Sequence, residues 1–235
     1  MTLTVLPVEG MPEVREGDDL AGLLGEAADL RPGDVLVVAQ KVVSKAEGRV
    51  VRLDEVEASP QARELAADRD PRELELVLRE ARRLVRVRAP LVIAETRHGF
   101  VCASAGVDHS NAGEGGSVVL LPLDPDMSAR RLSEALGVAV IVSDSFGRPF
   151  RQGTTDVAIG VAGLAPLLDL RGVRDSTGYA LRTTQIAVAD EIAAAAELVM
   201  GKTAGIPAAV VRGLALRGDG TASELVMPAE RDLFR

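Results

Sequence analysis

The apolar residues of this chain fall into short, valine-rich runs that do not follow a single period. Runs of β-branched residues predict strands, and charged stretches with Leu, Ala and Val at helical spacing predict helices. The two kinds of segment do not alternate regularly, which disfavours a repeated βαβ arrangement. We therefore predict an α+β fold with mixed, largely antiparallel sheets and flanking helices.

Local signals give the individual elements. Strands are predicted at Asp34 to Val43, Leu91 to Thr96, Phe100 to Ala105, Ser117 to Leu121, Val138 to Val142 and Ala208 to Val211, with a hairpin turn at His98–Gly99. Two helices broken at Asp70–Pro71 are predicted within Ser59 to Val87. Further helices are predicted from Asp124–Pro125 to Gly137, and from an Asp190 N-cap to Gly201.

Length and composition limit the chemistry. The 235 residues predict one large domain, or two intimate lobes, over 1–235. The single cysteine, Cys102, excludes an internal disulfide and a cysteine zinc cluster, and the presence of only two histidines argues against a histidine-rich metal site. A bound metal would therefore have oxygen ligands, which favours magnesium, manganese or calcium.

Charge and hydropathy exclude other classes of partner. A net charge of −8 and an aromatic content of 2% argue against a nucleic-acid surface. The N-terminus lacks the pattern of a signal peptide, and no apolar stretch is long enough to cross a bilayer. We expect a cytoplasmic protein without nucleic-acid or membrane partners, in which a local basic pocket for phosphates is still allowed.

Two segments contain groups suited to phosphates and cations. In Gln40 to Arg49, Lys41 and Lys45 follow an apolar run and can meet phosphate oxygens, although a solvated strand end explains them equally well. In the glycine-bounded stretch Ala105 to Gly116, Asp108 and Asn111 can contact a metal and a phosphate together. Taken alone, that second segment is better interpreted as an Asx-rich turn.

The segment from Ser143 to Asp156, SDSFGRPFRQGTTD, carries the strongest functional signal. Asp144 and Ser145 at the end of an apolar strand offer a charged and a neutral oxygen to a hard cation. Arg148 and Arg151 add guanidinium groups that match carboxylates and phosphates. A structural loop would seldom gather these residue types. Asp156 can assist a metal, but an aspartate at such a junction is ordinary.

The fourth segment, Met200 to Gly213, contains a Gly-Lys-Thr sequence that is not a P-loop. The motif requires a glycine where Ala196 stands, and a strand where a helix is predicted. The segment can still contact phosphate or base by another geometry. Outside the four segments, His109 is best interpreted as an exposed turn residue and Cys102 as a buried, inert packing residue.

In this order, the four segments resemble the coenzyme F420-0:L-glutamate ligase family. The resemblance extends from VLPVEGMPEVREGDDL to AERDLFR, and its most specific matches are VVSKAEGR, AGVDHSN, SDSFGRPFRQGTTD and VADEIAAAAELVMGK. It is greatest to the actinobacterial two-domain enzymes, whose nitroreductase-like flavin domain we do not expect here. The resemblance implies an unusual mixed fold that forms an intertwined homodimer.

The resemblance also implies an activity and a set of site residues. The family joins L-glutamate to the deazaflavin precursor F420-0 with GTP, and many members add further γ-linked glutamates. By motif position, Asp108 and Asp144 would bind a first Mg²⁺ or Mn²⁺ and Ser145 a second, with a monovalent cation also allowed. The GTP site would comprise Met11, Pro12, Glu13, Val14, Gln40, Lys45, Asn111, Met200, Gly201, Lys202, Thr203, Ala204, Gly205 and Ile206.

This sequence departs from the family at three of those positions. Ser145 stands where threonine is common, Gln40 replaces the serine of many relatives, and position 202 varies in polarity. The expected reaction proceeds through an acyl phosphate. Asp144 would act in catalysis by holding a metal ion, and Arg148, Arg151 and the two lysines at 41 and 45 would add positive charge. A metal-dependent phosphohydrolase and a non-catalytic cofactor-binding domain remain as alternatives.

Overall fold

The computed structural model describes residues 2–112 and 115–233. Gly113 and Glu114 of the Ala105 to Gly116 segment, and the last two residues of the C-terminal AERDLFR match, lie outside these ranges. A five-stranded sheet forms the centre of the described fold, in the order β1-β12-β2-β8-β9. Its strands are β1 (Thr4–Pro7), β2 (Val35–Ala39), β8 (Ala139–Gly147), β9 (Thr154–Ala162) and β12 (Ala208–Arg212).

Helices cover both faces of this sheet. Hydrophobic cores lie on either side of it, built largely from the valines of β2, β8 and β12. The helices packed on one face include α1 (Leu20–Ala27) and α5 (Pro125–Leu136), and the other face is covered by α6 (Val188–Met200). Only β2 and β8 pair in parallel, and the other pairs of this sheet are antiparallel. The predicted α+β class is confirmed.

A third hydrophobic core belongs to a separate, smaller layer. There, α3 (Pro60–Ala66) and α4 (Pro71–Glu80) lie against a three-stranded sheet of β4 (Ala81–Arg88), β5 (Leu91–Thr96) and β6 (Val101–Ala103). Two short pairs complete the strands: β3 (Val50–Arg52) with β7 (Ser117–Val119), and β10 (Leu168–Asp169) with β11 (Gln185–Ile186). None of the helices in the described ranges is long and apolar enough to span a bilayer.

Most predicted elements are confirmed, and the signals that predicted them have the expected geometry. Asp124 caps α5 by accepting a hydrogen bond from the Met127 backbone N–H at 2.9 Å, and Gly137 ends the helix in the left-handed region with φ 71°. Gly99 turns the β5–β6 hairpin with φ 92°. Cys102 is buried on β6, and desolvation raises the pKa of its thiol to about 12, as expected of an inert packing residue.

Three local predictions are wrong. The strand beginning near Asp34 ends at Ala39, and the QKVVSKA sequence forms helix α2 (Gln40–Ala46) despite its two valines. The charged stretch after Glu80 forms β4 rather than continuing as a helix, because it pairs with β5. Asp190 does not cap α6, which begins at Val188, but accepts a hydrogen bond from the Ala158 backbone N–H at 2.9 Å. Tertiary contacts override local propensity in each case.

A buried ion pair joins the outer ends of β2 and β12. Asp34, which is 3% exposed, accepts hydrogen bonds from Arg212 Nε at 2.9 Å and Arg212 Nη2 at 2.8 Å, and another from the Arg31 backbone N–H. The hydrogen bonds from Arg212 hold the pKa of Asp34 below its ordinary value, although burial opposes this. The ion pair therefore stabilises the fold above the unfolded-state pKa, and its contribution is lost as pH falls through the folded-state pKa.

We predict that Asp34→Asn lowers the free energy of unfolding at pH 7 by about 1 to 2 kcal/mol, because it weakens charge-assisted hydrogen bonds. The difference from wild type should shrink as pH falls through the pKa of the native aspartate, which lies below its ordinary value. Urea titrations at pH 7 and at a series of decreasing acidic pH values measure this. The matched control is Asp29→Asn, which affects an exposed carboxylate 3.8 Å from the same arginine and should change stability little. A loss that does not change across this pH series would contradict the prediction.

Candidate active site

The parallel pairing of β2 and β8 places two of the predicted segments side by side. Ala39, the last residue of β2, pairs with Ser143 on β8, so Gln40 and Asp144 follow at the same edge of the sheet. Residues about a hundred positions apart in sequence therefore meet at the carboxyl ends of two parallel strands, where ligands commonly bind in sheets of this kind.

A cavity of about 270 Å³ opens at this edge. It is bounded by the segment after β1, the start of α2, the end of β8 and the loop after α6. Among the predicted site residues, those that line it are Met11, Pro12, Glu13, Val14, Gln40, Lys41, Lys45, Asn111, Asp144, Ser145, Met200, Gly201, Lys202, Thr203, Gly205 and Ile206. Ala204 belongs to the same loop but does not line the cavity.

Lys41 and Lys45 lie one turn apart on α2, and each is held by an acid. Lys41 Nζ is 2.8 Å from Asp108 Oδ2 and also donates to Ser110 Oγ. Lys45 Nζ donates to Glu13 Oε1 at 2.5 Å, and the lysine is 8% exposed. The helix that replaces the predicted strand thus directs both ammonium groups towards one cavity, since residues four apart share a helix face.

Asp108 lies beside the cavity rather than in its lining, and Lys41 connects the two. The Asp108 carboxylate accepts a hydrogen bond from the Ser110 backbone N–H at 2.8 Å, so the Asx turn considered for this loop is present. Burial alone would raise the pKa of Asp108, but the hydrogen bonds and charge of Lys41, together with Ser110, bring it below its usual value. Asp108 is therefore ionised at neutral pH.

Asp144 is a desolvated carboxylate without a basic partner. No lysine or arginine in the described ranges forms an ion pair with it, and its side chain accepts a hydrogen bond from the Ser145 backbone. Burial raises the pKa of Asp144 to about 7, with further contributions from the charges of Asp156 and Asp108. Because Asp108 acts on Asp144 electrostatically, the structure brings these two predicted metal ligands into the same region.

The neighbouring hydroxyls on β8 point to the opposite face of the strand from Asp144, as strand alternation requires. Ser143 Oγ donates to Asp156 Oδ2 at 2.8 Å, and Ser145 Oγ donates to Asp156 Oδ1 at 2.5 Å. Ser145 Oγ also accepts a hydrogen bond from Lys202 Nζ. Asp156 is 4% exposed and fixes both serines, so its role at this edge is larger than its position in the sequence suggested.

The charges around the cavity do not form the local basic pocket that a phosphate site suggested. Its described lining contains four carboxylates, at Glu13, Asp144, Asp156 and Glu197, and three lysines, at Lys41, Lys45 and Lys202. A polyphosphate would meet net repulsion there unless cations accompanied it. This donor set of carboxylate and hydroxyl oxygens suits a hard divalent ion.

The same residues do not form a complete metal cage. Within the described ranges, no three Asp, Glu, His or Cys side chains converge closely enough to hold an ion by themselves. Mg²⁺ is usually bound by only one or two carboxylates, and waters and substrate phosphates complete its coordination. The carboxylate and hydroxyl oxygens of the lining are compatible with such an ion when it is accompanied by a phosphorylated ligand.

Gln40 supplies a buried group that requires a partner. The residue is 1% exposed, and its Oε1 accepts a hydrogen bond from Ser44 Oγ at 2.8 Å. Its Nε2 is buried in the wall of the cavity without an acceptor in the described ranges. An unsatisfied buried donor is costly, so a ligand oxygen at this position would remove a penalty.

The two predicted arginines are not part of this lining. Arg148 and Arg151 lie in the exposed turn between β8 and β9, where Arg148 Nη2 donates to the Gln152 carbonyl at 3.2 Å. His109 also points elsewhere, with its Nε2 2.9 Å from Glu73 Oε1. In the Ser143 to Asp156 segment, the two arginines thus lie apart from the two aspartates that line the cavity.

Sequence reasoning gave no site role to Ser143 or Glu197. Ser143 is two residues before Ser145 and therefore lies on the same face of β8, which strand alternation would have shown. Glu197 is three residues before Met200 on α6, so helical spacing would have placed it near the loop that follows.

Comparisons with known proteins give the family of this chain. Residues 10–213 match the family model described as F420-0:Gamma-glutamyl ligase. The chain belongs to this ligase family. Its similarity to curated members extends over the whole chain: it is 48% identical, over 100% of both chains, to the coenzyme F420:L-glutamate ligase of Methanothermobacter thermautotrophicus. It is also 49% identical to the protein of the same name from Methanopyrus kandleri, over 100% of this chain and 98% of the relative.

The residues matched by the family model include the whole lining of the cavity. The matched range begins just before the Met11 to Val14 segment and ends just after β12, so it contains every residue of the cavity lining. A more distant member, the coenzyme F420:L-glutamate ligase of Methanocaldococcus jannaschii, is 42% identical over 88% of this chain and 86% of its own length.

Proposed function

We propose that this protein forms an amide bond between L-glutamate and the deazaflavin precursor F420-0, with GTP as the source of energy and divalent cations in the site. The observation that carries the proposal is the cavity at the β2–β8 edge. It combines three lysines, a carboxylate without a basic partner and a buried amide donor without an acceptor. The names of the relatives supply the two substrates to be joined.

We assign the nucleotide to the cavity because the walls of the cavity contain both cations and hydrogen-bond donors. The ammonium groups of Lys41, Lys45 and Lys202 are placed to bind phosphate oxygens as point charges. Gln40 Nε2 would donate to an oxygen of the nucleotide. Gly201 and Gly205, both with positive φ, bend the loop after α6 so that its backbone lines the cavity.

Two acidic groups and a hydroxyl are assigned to the cations. Asp108 and Asp144 would hold one Mg²⁺ or Mn²⁺, and Ser145 would contribute to a second. When bound, these ions neutralise phosphate oxygens as charge develops during transfer. Asp156 would keep Ser145 in position through the hydrogen bond already present, and a monovalent cation is allowed beside the phosphates.

The residues support a two-step reaction. A carboxylate oxygen of F420-0 attacks the γ-phosphorus of GTP, the bond to GDP breaks, and an acyl phosphate forms. The amine of glutamate then attacks the acyl carbon, the C–N bond forms and phosphate leaves. Lys41 and Lys45 bind the transferred group by charge in both steps, and Arg148 and Arg151, exposed at the turn beyond, are free to meet an anionic substrate that extends outside the cavity.

Mass spectrometry of the precursor after incubation with GTP, glutamate and manganese tests the proposal. We expect the mass of F420-0 to increase by one glutamyl unit, or by several if the chain is extended, and only when all three components are present. Unchanged F420-0 in the complete mixture would refute the proposal.

The alternatives make different predictions in the same mixture. A metal-dependent phosphohydrolase would release phosphate from GTP without glutamate or F420-0. A non-catalytic domain would bind F420-0 and leave both compounds intact. A ligase consumes GTP only in proportion to the amide formed, so parallel phosphate and mass measurements separate the three.

The oxygen donors of the site also predict its metal preference. We expect EDTA to remove ligase activity, and Mg²⁺ or Mn²⁺ to restore it, because carboxylate and hydroxyl ligands favour hard cations. Titration of each ion into the EDTA-treated enzyme measures this. Restoration by Zn²⁺ alone would contradict an all-oxygen site.

The expected homodimer belongs to the same proposal. The segment around β10 and β11 exposes Leu168, Val173 and Tyr179 at 45%, 47% and 57%, which is apolar surface suited to an interface. Light scattering of the purified protein should give twice the chain mass of 24.6 kDa. A monomeric mass would rule out this part of the proposal.

A further inference from the structure

Glu197 lines the cavity, but the proposed metal and nucleotide sites give it no role. It lies on α6, one turn before Met200, and its side chain is half-buried in the cavity wall. No hydrogen bond or ion pair reaches its carboxylate from residues 2–112 or 115–233. A charged group placed in this way is available for a ligand.

The other acids of this region already have partners or a proposed ligand. Glu13 and Asp108 bind lysines, and Asp156 binds two serine hydroxyls. Asp144 is assigned, together with Asp108, to a metal ion. Glu197 is therefore the remaining carboxylate in the described lining that can accept a new cationic partner without giving up an existing one.

Electrostatics limits what that partner can be. A free carboxylate repels the phosphates of GTP and the carboxylate of the acceptor, since like charges at short range cost energy. Among the substrates of the proposed reaction, the α-ammonium group of glutamate is the cationic group. It must also lose a proton before its nitrogen can attack a carbonyl carbon, so this substrate needs a base at its binding site.

We propose that Glu197 binds the α-ammonium group of the incoming L-glutamate and accepts the proton that makes its amine nucleophilic. This inference rests on the proposed ligase function and assigns the proton acceptor of its second step. Glu197 would then be a catalytic residue, because its carboxylate touches the reacting nitrogen.

The proton balance of the step is complete with this assignment. One ammonium proton passes to the Glu197 carboxylate, and the nitrogen lone pair attacks the carbonyl carbon of the acyl phosphate. A C–N bond forms, the bond from carbon to the phosphate oxygen breaks, and the leaving phosphate takes the second proton from nitrogen. The proton on Glu197 passes to water as the product departs.

The surroundings of Glu197 favour this use. Burial raises the pKa of Glu197, the charge of Asp156 on β9 raises it further, and Lys202 and Lys41 oppose the shift. A carboxylate whose pKa moves towards the working pH is a more effective general base than an exposed one. These four residues come from β9, α2, α6 and the loop that follows α6.

The test uses Glu197→Gln and two amine nucleophiles, glutamate and hydroxylamine. Ligation of glutamate should fall by about 10² or more, the usual contribution of a positioned base. Hydroxylamine is already a neutral nucleophile at pH 7, so it can trap the acyl phosphate as a hydroxamate without a base. In the variant, hydroxamate formation from F420-0 and GTP should stay near the wild-type rate, as followed by mass spectrometry.

Glu191→Gln is the matched control, because Glu191 is exposed on the first turn of the same helix. It should retain both activities. Loss of hydroxamate formation together with glutamate ligation in Glu197→Gln would overturn the inference, since it would place Glu197 at the metals or the nucleotide. Full glutamate ligation by that variant would also overturn it. If the wild-type protein forms neither product, the proposed function itself fails.

Discussion

Replacing Asp144 with asparagine is expected to lower the rate of amide formation by about 10³ while the protein remains folded. The substitution keeps the shape of the side chain and removes the negative charge that we assign to a divalent cation. Loss of one group that stabilises charge in a transition state commonly lowers the rate by about 10² to 10³. A loss at the upper end of this range is expected, because the cation that this charge would hold would also bind the phosphates.

Stability should not fall in this variant. Asp144 is desolvated and has no lysine or arginine partner, so its charge costs free energy in the folded protein without a bound cation. Asparagine removes that cost, and a melting temperature equal to or above that of the wild type is expected. Substitutions of functional residues often lower activity while they raise stability.

The control for this experiment is Asp68→Asn, which removes an exposed carboxylate away from the cavity. It should retain both activity and stability. Full glutamylation by Asp144→Asn, measured by the mass of the product, would show that the charge of Asp144 is not required and would remove the basis for the metal assignment.

The second large effect is expected at Gly160 on β9, where α5 packs directly against the strand. A Cβ atom at this position would lie 2.1 Å from the Pro125 carbonyl oxygen and 2.5 Å from its carbon. Both are backbone atoms at the first residue of α5, so they cannot turn away as a side chain can. Asp126, the next residue, accepts hydrogen bonds from the backbone N–H groups of Val161 and Ala222, which fixes the contact further.

We therefore expect Gly160→Ala to lower the free energy of unfolding by about 3 kcal/mol or more, the upper range for overpacking. Chemical denaturation measures this loss, and little folded protein would agree with it. Gly147→Ala is the matched control, because Gly147 lies on the paired strand with no atom near its would-be Cβ and without a positive φ. Similar stability of the two variants would show that α5 can move to relieve the contact.

The sequence was most informative where the signals were local. The Asp124–Pro125 pair and Gly137 determine the ends of α5 through interactions within a few residues. The failures at α2 and β4 have the opposite cause. Valines and alternating arginines fit either a strand or a helix, and the choice depends on partners that are distant in sequence.

The same distinction applies to the site. Residue types and order identified the segments around Asp108, Asp144 and Met200, but not the partners of their side chains. The pairing of Lys41 with Asp108 depends on α2, which was predicted to be a strand. The bond from Ser145 to Asp156 depends on the register of β8 against β9, which periodicity does not give.

The parallel pairing of β2 with β8 has a consequence for folding. The strands are joined by a connection of about a hundred residues that contains the whole smaller layer, and closing so long a loop is slow. Catalytic competence should therefore appear only after this late closure, and no fragment that ends before β8 can possess it. During refolding, the return of enzymatic activity would therefore report complete folding more reliably than the return of the helical circular-dichroism signal.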